Sequence, residues 1–443
     1  MNELVNARLE LFPITATIEG DDQNEWLSID KIRVSELAQK YKTPLYIYDR
    51  ATLDDAVQQY NAALKELYPG DSGITYAGKA YLSLAIAQWA GQNNLWLDCT
   101  GVGELEIAQK ANLSKSVILV HGVNKSFEDL NAAIQKAGTI VVDNLTELTR
   151  LSDLAKNQVD HLPDLWLRLR PGMAVDTHGY TQTGQVESKF GMSVDEIKQA
   201  VKICLDSNLP LTGLHFHLGS HFHELAPLEP AIETTLDLLK EIKTNSGWEA
   251  KTICTGGGWG IAYHEDNLPH PSVKKYVQFI SEHLINGCRN RQLDLPKLQV
   301  EPGRSLVARA GVAIYRVGAV KDSGIRQWTL VDGGMADNIR PALYGAKYSA
   351  LPLEGIDRHF LSRTWIAGPY CESSDVLIED LPMPNLQPDE YIAIPASGAY
   401  HISMSGNYNG ARRPAVLWID RGKVQLVQRR ESLEELYQRD LPL

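Results

Sequence analysis

The 443-residue sequence has few cysteines and no long hydrophobic run. Its five cysteines are odd in number and contain no Cys-x-x-Cys pair, so neither a disulfide framework nor a structural zinc site is expected. No apolar run approaches the roughly 18 residues of a membrane-spanning helix, and the first residues lack the apolar centre of a signal peptide. These absences predict a cytoplasmic protein that does not enter a membrane.

An excess of positive charge is also missing. The sequence has 43 Lys and Arg against 55 Asp and Glu, a formal net charge of −12. No basic stripe is interleaved with aromatic residues, so a nucleic-acid partner is not expected. The 44% share of hydrophobic residues supports a large core. Because the chain is longer than the ~250 residues of one parallel barrel, a second domain is expected.

Short apolar runs recur through the middle of the sequence and resemble strands that end in polar residues. They occupy residues 74–79, 95–99, 117–121, 139–143, 165–170, 211–217, 252–258 and 298–304. The intervening segments, such as 83–92 and 127–136, are long enough for one helix each. Eight strand–helix repeats predict an α/β fold, an eight-stranded parallel (β/α)8 barrel whose active site lies at the carboxyl ends of the strands. The nearly continuous Val, Ile and Leu content is typical of strands buried on both faces.

The pattern differs on both sides of this barrel. A helix is predicted at 34–41 and a strand at 43–49. From about Tyr315 onward the sequence alternates in the manner of β-strands, and residues 416–428 form a hairpin with Asp-Arg-Gly at its turn. A short helix is predicted at 432–439.

Three parts are predicted from these patterns. An N-terminal segment, residues 1–49, joins the β domain; the barrel occupies 50–315; and a C-terminal antiparallel β domain occupies 316–443. The proline-rich residues 379–390 are expected to be a surface connection.

Lys79 ends the first predicted strand, in the sequence YAGKA. Desolvation lowers the pKa of a buried lysine and leaves a neutral amine that can attack a carbonyl group. The alternative is a lysine that extends from the barrel rim to solvent, which is the commoner situation. Taken alone, Lys79 does not decide between them.

Three consecutive glycines, residues 256–258, follow the seventh predicted strand. Their backbone amides could hold a phosphate, as the late loops of barrels often do. The alternative is a tight turn between a strand and a helix. The dinucleotide-binding pattern is not matched, because no acidic residue follows at the expected distance in a compact βαβ unit.

Histidines cluster in the sequence LHFHLGSHFH, residues 214–223. His215 and His217 share one face of a strand, and no acidic residue nearby in sequence completes a metal site. His217 therefore either stacks on an aromatic cofactor or lies at the rim. At the eighth strand, Glu301 could pair with a pyridinium nitrogen and Arg304 could bind a phosphate or carboxylate.

Together these segments resemble the fold-type III pyridoxal-phosphate decarboxylases. The motifs, in chain order, are YAGKA, HLGS, GGG, EPGRS, GPYCESSDVL and GAYHISMSGNYNG, and the resemblance covers nearly the whole chain. It implies pyridoxal 5'-phosphate as cofactor, no metal, and a homodimer with active sites shared across the interface. The implied activity is decarboxylation of meso-diaminopimelate to L-lysine.

Two alternatives are considered within the same fold type. One is a sibling decarboxylase acting on ornithine, lysine, arginine or a carboxylated polyamine. The other is an amino-acid racemase, which is disfavoured because the racemases lack the CESSD segment of residues 371–375.

The resemblance also implies a role for individual residues. Lys79 would carry the cofactor, His217 would stack on its ring, and Glu301 would keep the pyridine nitrogen protonated. The residues around the phosphate would be Ser220, Gly257, Gly258 and Tyr400. Those in contact with the substrate would be Arg304, Arg340, Tyr344, Glu372 and Tyr400. Cys371 would reprotonate the carbanion in the active site of the neighbouring subunit.

Three residues depart from the family pattern. Gly78 stands where Val or Met is usual, Tyr81 where Asn is usual, and His221 where Gln or Asn is common. The larger aromatic ring and the extra imidazole bear on which substrate fits the pocket. Residues 177–184 and 188–192 also match loops of the family.

Overall fold

The computed structural model describes residues 3–22, 24–158, 162–172, 184–185, 187–360 and 362–443. The loop predicted at 177–184 lies outside the described residues except for Gly184. The chain divides into two compact units. The β unit comprises Met1–Ala56, Ile261–Pro271 and Leu306–Leu443, and the barrel unit comprises Val57–Gly260 and Ser272–Ser305.

The strands fall into three groups along the chain. The first group is β1 (Ala16–Gly20), β2 (Glu25–Ile29), β3 (Ile32–Arg33) and β4 (Leu45–Asp49). The barrel strands are β5 (Ser72–Ala77), β6 (Trp96–Cys99), β7 (Ile118–His121), β8 (Thr139–Val142), β9 (Asp164–Arg168), β10 (Leu211–His215), β11 (Thr252–Cys254) and β12 (Lys297–Val300). The last group is β13 (Gly311–Asp322), β14 (Gln327–Val331), β15 (Leu351–Pro352), β16 (Ser362–Ala367), β17 (Val376–Met383), β18 (Tyr391–Ile394), β19 (Ala415–Asp420) and β20 (Lys423–Gln428).

Helices connect most of the strands. Before and within the barrel they are α1 (Glu3–Leu9), α2 (Val34–Tyr41), α3 (Arg50–Leu67), α4 (Leu84–Gln92), α5 (Val102–Lys110), α6 (Phe127–Lys136), α7 (Leu145–Gln158), α8 (Val194–Asp206), α9 (Leu228–Ser246) and α10 (Val273–Arg291). Three short ones follow: α11 (Arg304–Val307), α12 (Arg340–Tyr344) and α13 (Leu433–Tyr437).

The eight strands of the barrel unit close on themselves. Each of β5–β12 pairs in parallel with its neighbours, and β12 pairs with β5 to complete the ring. The apolar runs are buried as parallel strands require, and every residue of β8 is buried. Buried side chains from four different strands pack together, namely Leu119, Val141, Trp166 and Cys254. The predicted eight-stranded parallel barrel is confirmed.

The barrel strands end earlier than the sequence predicts. β5 ends at Ala77 and is followed by a 3-10 turn that contains Lys79. β11 ends at Cys254, because Gly256 has a φ of +69° that does not fit an extended strand. Likewise β10 ends at His215, ahead of His217. The candidate functional residues therefore lie in the loops that follow the strands.

The β unit contains a large, mainly antiparallel sheet and a small one. The large sheet has the order β17-β16-β14-β13-β4-β19-β20, with β18 paired to β13 and β15 paired to β18. Two pairings in it are parallel, β4 with β19 and β14 with β16. β4, from the N-terminal segment, lies between β13 and β19. This sheet confirms the predicted fold class of a parallel barrel with a separate β domain.

Local signals in the β unit also locate its turns and helix ends. Helix α2 has the predicted bounds. Between β19 and β20, Arg421 and Gly422 have φ values of 50° and 69°, as a two-residue hairpin turn requires. Helix α13 starts after Ser432, whose side chain accepts from the Glu435 amide in a capping box.

The surface connection predicted at residues 379–390 is wrong in its first half. β17 continues to Met383, and both Leu381 and Met383 are buried. β17 is an edge strand of the sheet, so one side of its backbone forms no hydrogen bonds to another strand. Pro382, which lacks a backbone N–H, is tolerated in such a strand. The proline suggested a break, whereas the alternating buried side chains make this segment a strand.

All five cysteines are free thiols, four of them buried and Cys371 exposed. Among the described residues, no helix is both long enough and apolar enough to span a membrane.

Candidate active site

The glycine loop after β11 packs against two neighbouring loops with no room for side chains. A Cβ atom on Gly257 would lie 2.0 Å from the carbonyl oxygen of Glu301, and one on Gly258 would lie 2.0 Å from that of Gly219. Gly256 and Gly258 also have positive φ values, +69° and +104°. Glycine is therefore required for both space and conformation. The loop runs on to the 3-10 turn Glu265–Asn267 and does not turn directly into a helix. The phosphate-binding role of its amides stays a prediction.

The loop after β10 pairs with the glycine loop. Phe222 donates its amide to the Gly258 carbonyl at 3.2 Å, and Gly260 donates to the Phe222 carbonyl at 3.0 Å. Ser220 thereby lies in the loop that borders Gly258. The Arg304 guanidinium donates from Nη2 to Ser220 Oγ at 3.0 Å. Residues from three predicted motifs, HLGS, GGG and EPGRS, thus meet at one place in the barrel unit.

Glu301 is a buried carboxylate with one oxygen paired and one oxygen without a partner. His215 Nε2 lies 2.9 Å from Glu301 Oε2, although the two residues are 86 positions apart. Oε1 of Glu301 has no hydrogen-bond partner among the described residues. Burial by itself would raise the pKa of Glu301, but the His215 imidazole and the Lys79 ammonium together hold it below its ordinary value. A buried anion with an unused oxygen is a binding site for an N–H cation.

One more histidine, His121, lies near this carboxylate. The rings of His121 and His215 meet edge to face with centroids 4.5 Å apart. Burial, and then the nearby Arg168 cation, lowers the pKa of His121 well below its ordinary value. The sequence argument found no acid close to the histidine run, whereas in the structure ligand-type atoms of His121, His215 and Glu301 lie within 4.8 Å of one another. The metal-free expectation stays a prediction, and the adjacent Arg168 charge opposes a dication there.

His217 accepts a hydrogen bond at Nδ1 from the Gly257 amide at 3.3 Å. Burial lowers its pKa well below the ordinary value, with the Lys79 and Arg168 charges acting in the same direction. His217 is therefore a neutral imidazole whose Nδ1 edge is fixed by the backbone of the glycine loop. Lys79 itself is exposed, so its side chain can be reached by a ligand.

Asp98 and Arg168 are two further buried ionisable side chains, from β6 and β9. Burial, and then the Glu301 charge, raises the pKa of Asp98 well above its ordinary value. Arg168 donates to Asp143 Oδ1 at 3.3 Å, and its Cζ atom lies 4.5 Å from the centroid of the Phe190 ring. The backbone of Arg168 also accepts from the Met192 amide, which ties the predicted loop 188–192 to the barrel strand.

These residues fit pyridoxal phosphate on their own chemistry. The unpartnered oxygen of Glu301 suits a pyridinium N–H, and the neutral ring of His217 suits an aromatic neighbour. The glycine loop and Ser220 provide amide and hydroxyl donors of the kind that hold phosphate, and Arg304 provides a guanidinium for either a phosphate or a carboxylate. Lys79 provides the amine.

The remaining candidate residues belong to the β unit. Arg340 begins α12, is 4% exposed, and is followed by the half-buried Tyr344 at the end of the same helix. Tyr400 has a φ of +62°, a left-handed conformation rare for a tyrosine. Such conformations cost energy and cluster at functional sites.

The CESSD turn carries Cys371 and Glu372 at its exposed tip. Its base is held by the buried Asp375, which accepts the amides of Met335 at 2.7 Å and Tyr370 at 2.8 Å. Tyr408 donates to Glu372 Oε1 at 2.7 Å. The Cys371 amide donates to the side-chain oxygen of Asn409 at 2.9 Å. Tyr408 and Asn409 therefore hold the Glu372 carboxylate and the Cys371 backbone.

Comparison with known proteins identifies the family. Residues 53–308 match the pyridoxal binding domain of the pyridoxal-dependent decarboxylases. The chain belongs to this family. Pyridoxal phosphate is accordingly its cofactor.

Named relatives of this decarboxylase match it over almost their full length. The diaminopimelate decarboxylase of Bacillus subtilis strain 168 is 39% identical over 427 residues, 95% of this chain and 96% of the relative. That of Bacillus methanolicus is 38% identical over 416 residues, 92% of this chain and 95% of the relative. The crystal structure of diaminopimelate decarboxylase from M. jannaschii in complex with L-lysine is similar with a TM-score of 0.89 at 29% identity, covering 96% of this chain and 98% of that one.

Sequence reasoning missed several buried groups of the decarboxylase site. His215 was predicted only to share a strand face with His217, and His121 only to end an apolar run. Asp98 and Arg168 had no predicted role. The usable signal was a polar residue inside an otherwise apolar strand, as in the Leu-Arg-Leu-Arg sequence at residues 167–170. On a barrel strand such a residue can point into the barrel, where only a charged partner or a ligand makes it stable.

Proposed function

We propose that this decarboxylase converts meso-diaminopimelate to L-lysine and carbon dioxide. The observation that carries the cofactor chemistry is the buried Glu301 carboxylate with its unpartnered oxygen. For the substrate, support comes from relatives of that name at 38–39% identity and from a solved relative in complex with L-lysine. The reaction removes one carboxylate from a substrate that has two.

Lys79, His217 and Glu301 act on the cofactor end. When bound, pyridoxal phosphate supplies the electron sink that takes up the electron pair left behind by departing carbon dioxide. Lys79 provides the amine that the substrate amine displaces, and it takes up its position again when product leaves. Glu301 holds a proton at the ring nitrogen, because its carboxylate stays charged beside His215 and Lys79. His217 supports the ring by stacking.

The donors of the glycine loop orient the cofactor through its phosphate. Ser220 contributes a hydroxyl and Gly258 an amide donor. Gly257, whose amide is bonded to His217, keeps the loop closely packed, and we assign Tyr400 to the same group. Fixed donors orient the reacting bond and replace water around the charged groups. Since the glycine loop has no freedom to accept side chains, its amides are held in place before any ligand arrives.

We propose that five residues bind the far end of the substrate: Arg304, Arg340, Tyr344, Glu372 and Tyr400. That end carries a carboxylate and an amine, so it needs cationic donors for the first and an anion for the second. Arg340 and Arg304 suit the carboxylate, and Glu372 suits the amine. Ornithine has no far carboxylate, which makes Arg340 the residue that favours diaminopimelate.

Cys371 returns the proton in this proposal, and it does so in a homodimer with shared active sites. Its exposed position at the tip of the CESSD turn supports a role towards a partner subunit. Large apolar side chains near the C-terminus are also exposed, among them Leu433 at 64% and Tyr437 at 60%. Exposed apolar side chains of this kind are often covered by another chain. A cytoplasmic location is part of the same proposal.

One departure from the family pattern has a packing explanation. A Cβ atom on Gly78 would lie 2.7 Å from the carbonyl oxygen of Asp98, so β6 leaves no room for Val or Met there. Tyr81 is buried, and its carbonyl accepts from the Tyr76 hydroxyl.

A substrate panel tests the proposal. Purified, cofactor-loaded protein should release carbon dioxide faster from meso-diaminopimelate than from ornithine, lysine, arginine or a carboxylated polyamine. Faster release from ornithine or the polyamine would replace this function with that of a sibling decarboxylase. Interconversion of enantiomers without carbon dioxide release would indicate a racemase.

Arg340→Ala tests the assignment of the far carboxylate. We expect a loss of about 2–4 kcal/mol in transition-state binding for meso-diaminopimelate, the range for truncating one partner of a buried charge pair. Slow turnover of ornithine should change little. Arg358→Ala is the control, since Arg358 is an arginine of the same unit bonded to Glu390. Equal losses for both substrates would contradict the assignment.

A further inference from the structure

Arg340 is the first member of a buried chain of polar side chains within the β unit. The other members are Tyr348, His401, Tyr46 and Asp337, each at most 3% exposed. None of them has a role in the reaction described above. Buried polar groups are costly unless they are paired, so a chain of them in a core calls for a function.

The first link fixes the orientation of the Arg340 guanidinium. Its Nη1 donates to the Tyr348 hydroxyl oxygen, and its Cζ atom lies 4.6 Å from the centroid of the Tyr263 ring. The rings of Tyr263 and Tyr348 in turn pack edge to face at 5.2 Å. One bond and one ring face thus hold the planar group. A guanidinium has several N–H donors, so the remaining ones can bind a carboxylate in a forked geometry.

The next links continue in one direction from Arg340 towards a carboxylate. The Tyr348 hydroxyl lies 2.8 Å from His401 Nε2, and His401 Nδ1 lies 3.2 Å from the Tyr46 hydroxyl. Tyr46 donates to Asp337 Oδ2 at 2.9 Å. Because Tyr348 already accepts from a cation, its own proton goes to His401 Nε2. His401 is then a neutral imidazole that donates from Nδ1 to Tyr46. Along the chain, Tyr348, His401 and Tyr46 each accept one bond and donate one, from the Arg340 donor to the Asp337 acceptor.

Asp337 anchors the far end of the chain on the central strands of the sheet. It also accepts from the Tyr315 hydroxyl at 2.5 Å and, at Oδ1, from the Gly334 amide at 3.0 Å. Tyr46 lies on β4 and Tyr315 on β13, which pair with each other. The chain therefore connects Arg340 to the paired strands β4 and β13 at the centre of the large sheet.

We propose that Tyr348 and His401 are positioning residues that hold Arg340 in the orientation that reads the far carboxylate of the substrate. The inference rests on the proposed function, and it names residues that act through Arg340. Without the Tyr348 hydroxyl, the guanidinium keeps its charge but loses its fixed plane. A forked pair with a carboxylate depends on that plane far more than a simple charge contact does.

Product inhibition separates positioning from a merely structural role. L-Lysine keeps the far carboxylate, whereas cadaverine has the same carbon chain and amines without it. For Tyr348→Phe and His401→Ala we expect the inhibition constant of L-lysine to rise about tenfold, as for loss of one hydrogen bond to a charged group. The constant for cadaverine should stay within about twofold, and the KM for meso-diaminopimelate should rise more than kcat falls.

The controls address folding. Tyr68→Phe also removes a buried hydroxyl, which donates to the Pro296 carbonyl in the barrel unit, and it should leave both inhibition constants unchanged. His401→Gln keeps an acceptor and a donor, and it should recover part of the L-lysine affinity lost in His401→Ala. Thermal unfolding of each variant shows whether the fold is intact. Parallel weakening of L-lysine and cadaverine, or no change in either, would overturn the proposal.

A double-mutant cycle keeps this inference separate from the proposed function. Wild-type turnover of meso-diaminopimelate alone decides the function. Arg340→Ala and Tyr348→Phe are then combined, and the inhibition constant of L-lysine, which carries the far carboxylate, is measured for each variant. If Tyr348 acts through Arg340, the second change adds almost nothing once Arg340 is gone. Additive losses would refute the positioning role whatever the substrate.

Discussion

Among single residues, Glu301 has the largest part in the proposed chemistry, through one buried carboxylate oxygen. Glu301 is charged because His215 and Lys79 compensate for its burial, and its second oxygen is left for a ligand. Replacing the carboxylate with an amide of the same shape removes the charge and keeps the volume. The residue therefore offers a clean test of charge against packing.

Glu301→Gln should lower kcat on the order of 100-fold, comparable to the loss of one fixed electrostatic contact in an active site. Cofactor content, read from its absorbance, should fall much less. Glu147→Gln is the control, because Glu147 is another buried carboxylate of the barrel unit, paired with Lys125 at 2.8 Å. We expect that variant to lose stability while kcat changes little. A Glu301 variant with near-normal kcat would contradict the role at the ring nitrogen.

Asp337 predicts a pH dependence of stability. Burial raises its pKa to about 6 despite hydrogen bonds from Tyr315, Tyr46 and the Gly334 amide, and Asp332 adds to the rise. Below about pH 6 the folded state therefore binds more protons at this carboxyl than the unfolded state does. As a result, the contribution of Asp337 to the free energy of unfolding falls as the pH rises through that range.

Asp337→Asn removes this titration. Relative to wild type, the variant should gain about 1–2 kcal/mol in free energy of unfolding between pH 5 and pH 8, as linkage requires for a shift of this size. Urea unfolding at the two pH values gives the difference directly. A difference that is independent of pH would show that Asp337 has an ordinary pKa.

Among the secondary-structure elements, the loops that follow the barrel strands, and not the strands themselves, contain most of the candidate site residues. The 3-10 turn after β5 contains Lys79, the HLGS loop after β10 contains His217 and Ser220, and the glycine loop follows β11. Each loop is held by its neighbour through backbone hydrogen bonds and close packing. The fold thus presents rigid donors on short connections.

Gly258→Ala should abolish tight cofactor binding. The added methyl group would lie 2.0 Å from the Gly219 carbonyl oxygen, and the φ of +104° is strained for alanine. Gly324→Ala provides the matched control, since Gly324 has a φ of +78° with no atom near the added carbon. The control isolates backbone strain, expected to cost about 1 kcal/mol, from the steric clash. Equal cofactor affinities in the two variants would show that crowding of the loop does not matter.

A homodimer with shared sites is tested at the scale of the whole molecule. Lys79→Ala and Cys371→Ala should each be nearly inactive. Under conditions that exchange subunits, their mixture should regain up to about a quarter of wild-type activity, because a heterodimer then has one intact site and one site with both lesions. Mixing Lys79→Ala with the double variant is the control and should restore nothing. Heterodimers without activity would place both residues in the same chain's site.

Local patterns in the sequence determined the succession of elements. Apolar runs of strand length, separated by helical segments, predicted the barrel, and the polar residues at or near the ends of those runs included Lys79 and Glu301. Helix α6 has the predicted bounds because Ser126 and Asp129 form a capping box at its start. Caps, hairpin turns and apolar periodicity act over a few residues, so the sequence alone is enough to read them.

Contacts between distant segments were decided by tertiary structure. Glu301 meets His215 across 86 positions, and the chain from Arg340 to Asp337 joins side chains from β4, α12 and the loops after β14 and β18. Because β17 lies at the edge of the sheet, it can include Pro382 and still be a strand. No local pattern specifies which buried polar groups will pair, because their stability depends on partners that only the closed barrel and the completed sheet bring within hydrogen-bonding distance.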